Sequence, residues 1–269
     1  MLSQVMAVSF LLLVIAMPLL AAIRWLCRVR LTPWQWLLWS LAYLLVKFRW
    51  RARWEGELDL PAGQGAILVS NHRSSVDPFF LQTATTRKVH WLVAREYCAH
   101  PAIAWFLRSC EVIPVGRGGV DTAATKGALR LAAAGGIVGM FPEGRINMTD
   151  ELLLPCRPGA ALVALKARVP LVPCYIEGSP YDRFPHSPLL MTARVKVRFG
   201  KPLDLSDCYG REAEPGMVEQ VMRRCLAEIA RLAGEPDFEP RLAGRNWKPT
   251  EEELAAATSS NLPRRDARR

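Results

Sequence analysis

Two long apolar runs open the chain, and shorter ones recur after them. From Met1 to Ile23 no charged residue interrupts the sequence, and VMAVSFLLLVIAMPLLAAI within it is almost wholly apolar. About 20 such residues are enough for a helix to cross a bilayer. The second run, TPWQWLLWSLAYLLVKF (32–48), places Pro33 directly after Thr32, a pattern that starts helices. It carries Trp34, Trp36, Trp39 and Tyr43, which read as interfacial anchors. Arg24, Arg28 and Arg30 follow the first run, and Lys47, Arg49, Arg51 and Arg53 close the second. If both helices crossed fully, one basic cluster would lie on the far side, against the positive-inside tendency. Two helices dipping into one leaflet keep both clusters on the cytoplasmic side. Residues 1–54 are therefore expected to form a two-helix membrane anchor, with a helical hairpin packed on the rest of the chain as the competing reading.

A polar break bearing Gly and Pro, EGELDLPAGQG (55–65), ends this region. Beyond it, short apolar runs at 66–70, 89–94, 111–115, 136–141 and 170–178 read as buried strands. Helix-like segments at 79–85, 102–109, 122–134 and 159–167 lie between them. Strands alternating with helices imply crossover connections, hence a largely parallel sheet covered on both faces. The alternating run ARVKVRFG (193–200) predicts an edge strand, and 217–232 an amphipathic helix that closes the domain. The expected architecture is an α/β fold, an αβα sandwich around a largely parallel, mixed sheet over 55–233. From Gly234 to Arg269 the composition turns to Pro, Glu, Arg and Ser, which predicts a loosely ordered tail.

Composition narrows the function classes. With 51% hydrophobic residues in 269, the chain fills a core and has apolar residues to spare, which excludes global disorder. The net charge of +10 suits nucleic acid, anionic lipid or an anionic substrate. Part of it lies in the anchor and tail, and no nucleic-acid motif occurs, so nucleic acid ranks last. Seven cysteines, none in a C-x-x-C pair, argue against a disulfide framework and against a zinc site. No metal is expected.

Candidate chemistry clusters after the strands. NHRSSVDPFF (71–80) sets His72 and Asp77 five positions apart beyond the first strand. In α/β sheets the carboxyl ends of strands face ligands. A turn between the two residues brings a carboxylate to the imidazole, fixing its tautomer and leaving the second nitrogen as a base. Asp77 before Pro78 reads as a helix N-cap. EVIPVGRGG (111–119) offers Arg117, and MFPEGRIN (140–147) offers Glu143, Gly144 and Arg145. Arginines beside glycines at strand ends make an anion site. An acyl-enzyme on Ser74 or Ser75 is the rival chemistry, but no G-x-S-x-G elbow occurs in the chain.

Four blocks, H-x-x-x-x-D at 72–77, I-P-V-x-R at 113–117, F-P-E-G at 141–144 and V-P-x-x-P at 169–173, occur in this order. In this the chain resembles the glycerolphosphate and lysophosphatidate acyltransferase family. The resemblance implies transfer of a fatty acyl group from acyl-CoA or acyl carrier protein, without a cofactor, to a hydroxyl of a lipid acceptor such as 1-acylglycerol 3-phosphate. It implies His72 as general base with Asp77 orienting it. It also implies Arg117, Glu143, Gly144 and Arg145 as contacts to the acceptor phosphate. The third block departs from the family's E-G-T-R, since Arg145 follows Gly144 directly and Ile146 takes the usual arginine position. Glycerol 3-phosphate and other lysolipids stay open as acceptors. So does a non-catalytic, lipid-binding role.

Overall fold

The computed structural model describes Met17 and residues 31–116, 121–181 and 186–244. The first apolar run (Met17 apart), Arg117 and the tail beyond 244 lie outside the described residues. Helix α1 (Pro33–Leu44) begins as expected, with a reciprocal cap. The Thr32 hydroxyl accepts from the Gln35 N–H, and the Gln35 side chain accepts from the Thr32 N–H, satisfying two orphan donors of the first turn. The helix runs into a π-helical turn (Leu45–Arg49). Its 12 residues rise about 18 Å, well short of a bilayer's hydrocarbon core. Among the described residues no helix is long and apolar enough to cross a membrane.

The remaining elements follow in order. They are β1 (Arg53–Glu55), β2 (Ala66–Ser70), α2 (Asp77–Gln82), β3 (Val89–Ala94), α3 (Arg95–Ala99), α4 (Ala104–Ser109), β4 (Ile113–Val115), α5 (Thr122–Ala133), β5 (Ile137–Met140), α6 (Gly159–Ala167), β6 (Leu171–Glu177), β7 (Lys196–Phe199) and α7 (Met217–Ala233). A 3₁₀ turn (Ser187–Leu189) precedes β7. The seven strands form one sheet in the order β1-β7-β6-β2-β5-β3-β4. From β6 to β4 all neighbours are parallel, while β7 runs antiparallel to β6 and β1 runs with β7. The mixed, largely parallel sheet matches the expected class.

Period-2 alternation divides the core between the two faces. Ile67, Val69, Val138, Met140, Leu171 and Tyr175 face α5, α6 and α7, where small residues such as Ala128 and Ala164 let the helices approach closely. Leu68, Ile137, Val172, Cys174 and Ile176 face the opposite way and pack with Phe80, Leu81, Val46 and Trp50. β2 and β5 are buried along their whole length, as strands covered on both faces must be.

Three expectations change. β7 is not at the edge, because the three-residue strand β1 pairs beyond it through Arg53–Lys196, Trp54–Val197 and Glu55–Arg198. Trp39 and Tyr43 do not point outward as interfacial anchors. Trp39 stacks on Tyr43 (5.3 Å between ring centroids) and Tyr43 on Trp54 (6.4 Å), while the Trp39 indole donates to the Gln82 carbonyl. α1 is thereby docked on the domain, and Gln35 adds a bond to the Ser109 carbonyl. Last, the beginning of the presumed tail is held down: Cys156 N–H donates to Arg241 O and Ala243 N–H to Cys156 O, with Phe238 and Leu242 packed on the core. Each was hidden because the contact that decides it comes from a segment distant in sequence.

Candidate active site

The carboxyl ends of β2, β5 and β6, adjacent in the sheet, carry the first and third motifs and the residues just after the fourth. Leaving β2, the chain is stitched to β6 by Asn71. Its amide donates to the Ile176 carbonyl and its oxygen accepts from the Ile176 N–H, both at 2.8 Å, so a side chain continues the ladder that Ser70 ends. His72 then sits beyond the sheet, and the chain turns through Arg73 and Ser74 into α2.

Asp77 is the first residue of α2, not its cap, which falls on Val76, and Pro78 occupies the first turn. The aspartate has no exposed surface. Its Oδ2 lies 3.0 Å from His72 Nδ1 and accepts from the backbone N–H groups of Arg73 (2.6 Å) and Ser74 (2.7 Å). Its Oδ1 accepts from the Ser179 hydroxyl at 2.6 Å. A buried carboxylate is tolerable only when its lone pairs are used in this way. His72 keeps 17% of its side chain exposed, so the pair has a buried and an accessible member.

The His72 peptide is clamped from the β5 side. Its N–H donates to Glu143 Oε1 (2.7 Å), and its carbonyl accepts from the Asn147 N–H (2.7 Å). The other Glu143 oxygen accepts from the Leu154 N–H at 2.9 Å. Glu143 is expected to contact the acceptor; in the structure its two oxygens accept from main-chain donors, which ties the loop after β5 to the histidine backbone. Burial pushes its carboxyl up to about 7, outweighing the two N–H bonds that favour the charged form. Arg73, also buried, directs its guanidinium to the carbonyls of Asn147, Thr149 and Glu151, fastening the loop after the third motif to the loop after the first.

The His72 ring is positioned by stacking as well. Phe141 lies parallel to it, with centroids 4.1 Å apart, and Trp91 lies parallel to Phe141 at 5.0 Å. Gly139 makes room for the indole, since a Cβ there would sit 2.4 Å from the Trp91 ring. Gly144 has φ 69°, a turn geometry that favours glycine, and its N–H closes onto the Phe141 carbonyl. Arg145, half-buried, follows that turn. Ser74 is fully buried with its hydroxyl donating to the Pro180 carbonyl, an orientation unsuited to a nucleophile.

The structure thus brings together His72, Asp77, Glu143 and Gly144. Sequence reasoning missed Ser179, Arg73, Asn147 and Asn71. Asn71 and Arg73 flank the histidine and could have been suspected as polar residues that follow a wholly apolar strand. Ser179 and Asn147 give no such signal.

Two measurements test this geometry. Gly139→Ala should destabilise by about 1–3 kcal/mol, as overpacking does, and disturb the near-ultraviolet circular dichroism of the Trp91–Phe141 stack. Unchanged stability and spectrum would contradict the packing. For Glu143, the folded protein retains the proton up to about 7, whereas the unfolded chain releases it near the ordinary 4.5. Between these values the unfolded state binds fewer protons, so this group makes stability fall as pH rises, by about 3 kcal/mol in all. Urea denaturation across this range should show that decline, and Glu143→Gln should remove it; an identical pH dependence in both proteins would contradict the assignment.

The chain is similar to known proteins in sequence and in fold. The acyltransferase family profile matches residues 51–177. The chain is 27% identical over 170 residues to the 1-acyl-sn-glycerol-3-phosphate acyltransferase of Bacillus subtilis, covering 62% of this chain and 82% of that protein. It is 30% identical over 171 residues to the enzyme of the same name from Streptococcus pneumoniae, covering 63% of this chain and 61% of that one. In fold it is similar to the crystal structure of the 1-acyl-sn-glycerophosphate (LPA) acyltransferase PlsC of Thermotoga maritima, with a TM-score of 0.54, 19% identity and coverage of 72% and 79% of the two chains. Over residues 51–177 the chain is thus similar to the acyltransferase family, and in sequence to proteins named 1-acyl-sn-glycerol-3-phosphate acyltransferase.

Proposed function

We propose that the protein transfers a fatty acyl group from acyl-CoA or acyl carrier protein to the free hydroxyl of 1-acylglycerol 3-phosphate, with His72 as the general base. The observation that carries this reading is the contact between His72 Nδ1 and Asp77 at 3.0 Å, with the aspartate buried and the histidine partly exposed. A carboxylate only accepts hydrogen bonds, so in this reading the proton sits on Nδ1 and the lone pair on Nε2. Nε2 takes the proton of the acceptor hydroxyl as its oxygen attacks the thioester carbonyl. The tetrahedral intermediate then collapses, the C–S bond breaks, and the leaving thiolate takes the proton from the imidazolium. The N–H groups of Arg73 and Ser74 are committed to Asp77, so the oxyanion is served by other donors.

In this reading Arg117 and Arg145, the latter just after the Gly144 turn, bind the acceptor phosphate, and Glu143 keeps the histidine backbone in place. Glycerol 3-phosphate or another lysolipid fits the same chemistry. The lipid acceptor explains a membrane location with the catalytic domain at the cytoplasmic face, and the apolar outer face of α1 supports it. Trp34, Leu37, Leu41, Leu44 and Phe48, spaced three and four apart, form an exposed stripe.

The test is acyl transfer by purified protein in detergent micelles, with labelled acyl donors and a panel of acceptors read by mass spectrometry. His72→Ala should lower turnover by about 10²–10⁴-fold in a folded protein. Ser75→Ala should keep most activity. A folded His72→Ala variant with near-native turnover would overturn the mechanism, and transfer only to acceptors lacking phosphate would overturn the acceptor assignment.

A further inference from the structure

A cationic feature lies one strand beyond β6, at the sheet end that holds His72. A groove of about 380 Å³ is lined by Arg51, Arg53, Arg194, Val195 and Lys196. Register fixes its position. Lys196 pairs with Glu177 at the carboxyl end of β6, and Arg53 pairs with Lys196, so these cations share the end of the sheet that holds His72. Glu55 approaches Lys196 at 3.5 Å and bonds Arg198, and Glu177 pairs with Arg198. No carboxylate among the described residues forms an ion pair with Arg51, Arg53 or Arg194, all three of which are exposed. Like charges crowded without counter-charge are unfavourable unless an anion visits them. Arg51 adopts φ 42°, the sharp turn by which the chain leaves the π-helical segment and enters β1.

The groove borders apolar surface of an unusual kind. Phe48 is 73% exposed, and Leu190 77%. The two are tied together, because the Arg49 guanidinium donates to the Leu190 carbonyl and the buried Trp50 indole to the Pro188 carbonyl. Beyond Phe48 the apolar stripe continues along α1. At the Phe48 end of that stripe the cationic band and the apolar side chains adjoin. Adjoining cationic and apolar surface suits a bilayer leaflet, whose phosphate layer borders hydrocarbon.

We propose that Arg51, Arg53, Arg194 and Lys196 form a docking site for the phosphates of anionic phospholipids in the bilayer, seating the catalytic end of the sheet on the membrane while Phe48, Leu190 and the α1 stripe enter the hydrocarbon. Its residues are other than those proposed to bind the acceptor, and the proposal rests on the membrane location given above. Its consequence is that residence at the membrane depends on the anionic lipid content of the bilayer and on salt, since surface attraction decays over about 8 Å at physiological ionic strength.

The experiment measures partition of the full chain onto vesicles of phosphatidylcholine alone and of phosphatidylcholine with phosphatidylglycerol. The variant combines Arg51→Asn, which suits a positive φ, with Arg53→Gln and Arg194→Gln. Removing three cations, each worth about fivefold near an anionic surface, should weaken binding to the anionic vesicles on the order of 100-fold and leave binding to neutral vesicles unchanged. Transfer in detergent micelles should stay at the wild-type level. A paired control, Lys166→Gln with Arg168→Asn at the opposite end of the sheet, should bind as wild type does. Equal loss on both vesicle types, no loss on either, or equal loss in the control would overturn the proposal. So would abolition of vesicle binding by inorganic phosphate at concentrations too low to change ionic strength, which would mark a site for a soluble anion. If the wild-type protein transferred no acyl group in micelles, the proposed reaction would fail while the vesicle readout still stood on its own.

Discussion

A carboxylate without exposed surface constrains everything around it, and the site is organised about Asp77. Its four contacts come from three places: the imidazole of His72, the N–H groups of the turn at Arg73 and Ser74, and the hydroxyl of Ser179 after β6. Losing any donor would leave part of a buried charge unsatisfied, at a cost of about 1–3 kcal/mol or more. The turn, the start of α2 and the end of β6 are therefore fixed together, and the histidine's orientation follows from that fixation.

The same end of the sheet is reinforced from β5. Glu143 and Asn147 grip the two polar groups of the His72 peptide, while Phe141 and Trp91 support the ring from one face. Gly139 permits this stack, and Arg73 fastens the loops that bear it. Two independent sets of interactions, one electrostatic and one aromatic, thus hold a single imidazole. Such preorganisation is what a general base requires, because small misplacements in the reacting geometry cost large factors in rate.

Much of this was legible in the sequence, and the failures are instructive. The buried strands announced themselves as short apolar runs between helical segments, since a parallel sheet covered on both faces has no polar alternation to confuse it. The five-residue spacing of His72 and Asp77 sufficed to place them together at the end of β2. β1 escaped notice because Arg53, Trp54 and Glu55 are too few to show a period within a basic cluster. Trp39 and Tyr43 could equally have faced lipid or protein, and only their stacking on Trp54 decides. The resemblance gives Glu143 an acceptor contact, and its main-chain partners at His72 and Leu154 are not legible in the motif, because a carboxylate that caps donors from a neighbouring loop looks the same in sequence. Ser179 and Asn147 became visible only once the fold had closed.

In the proposed mechanism Asp77 sets the proton on Nδ1 of His72 and leaves Nε2 as the base. Nitrogen-15 chemical shifts of the His72 imidazole in the folded protein test it most directly. The expected result is a neutral ring protonated on Nδ1 at mildly alkaline pH, with that preference lost in Asp77→Asn. A ring protonated on Nε2 in the wild-type protein, or a tautomer indifferent to the Asp77 substitution, would contradict the account.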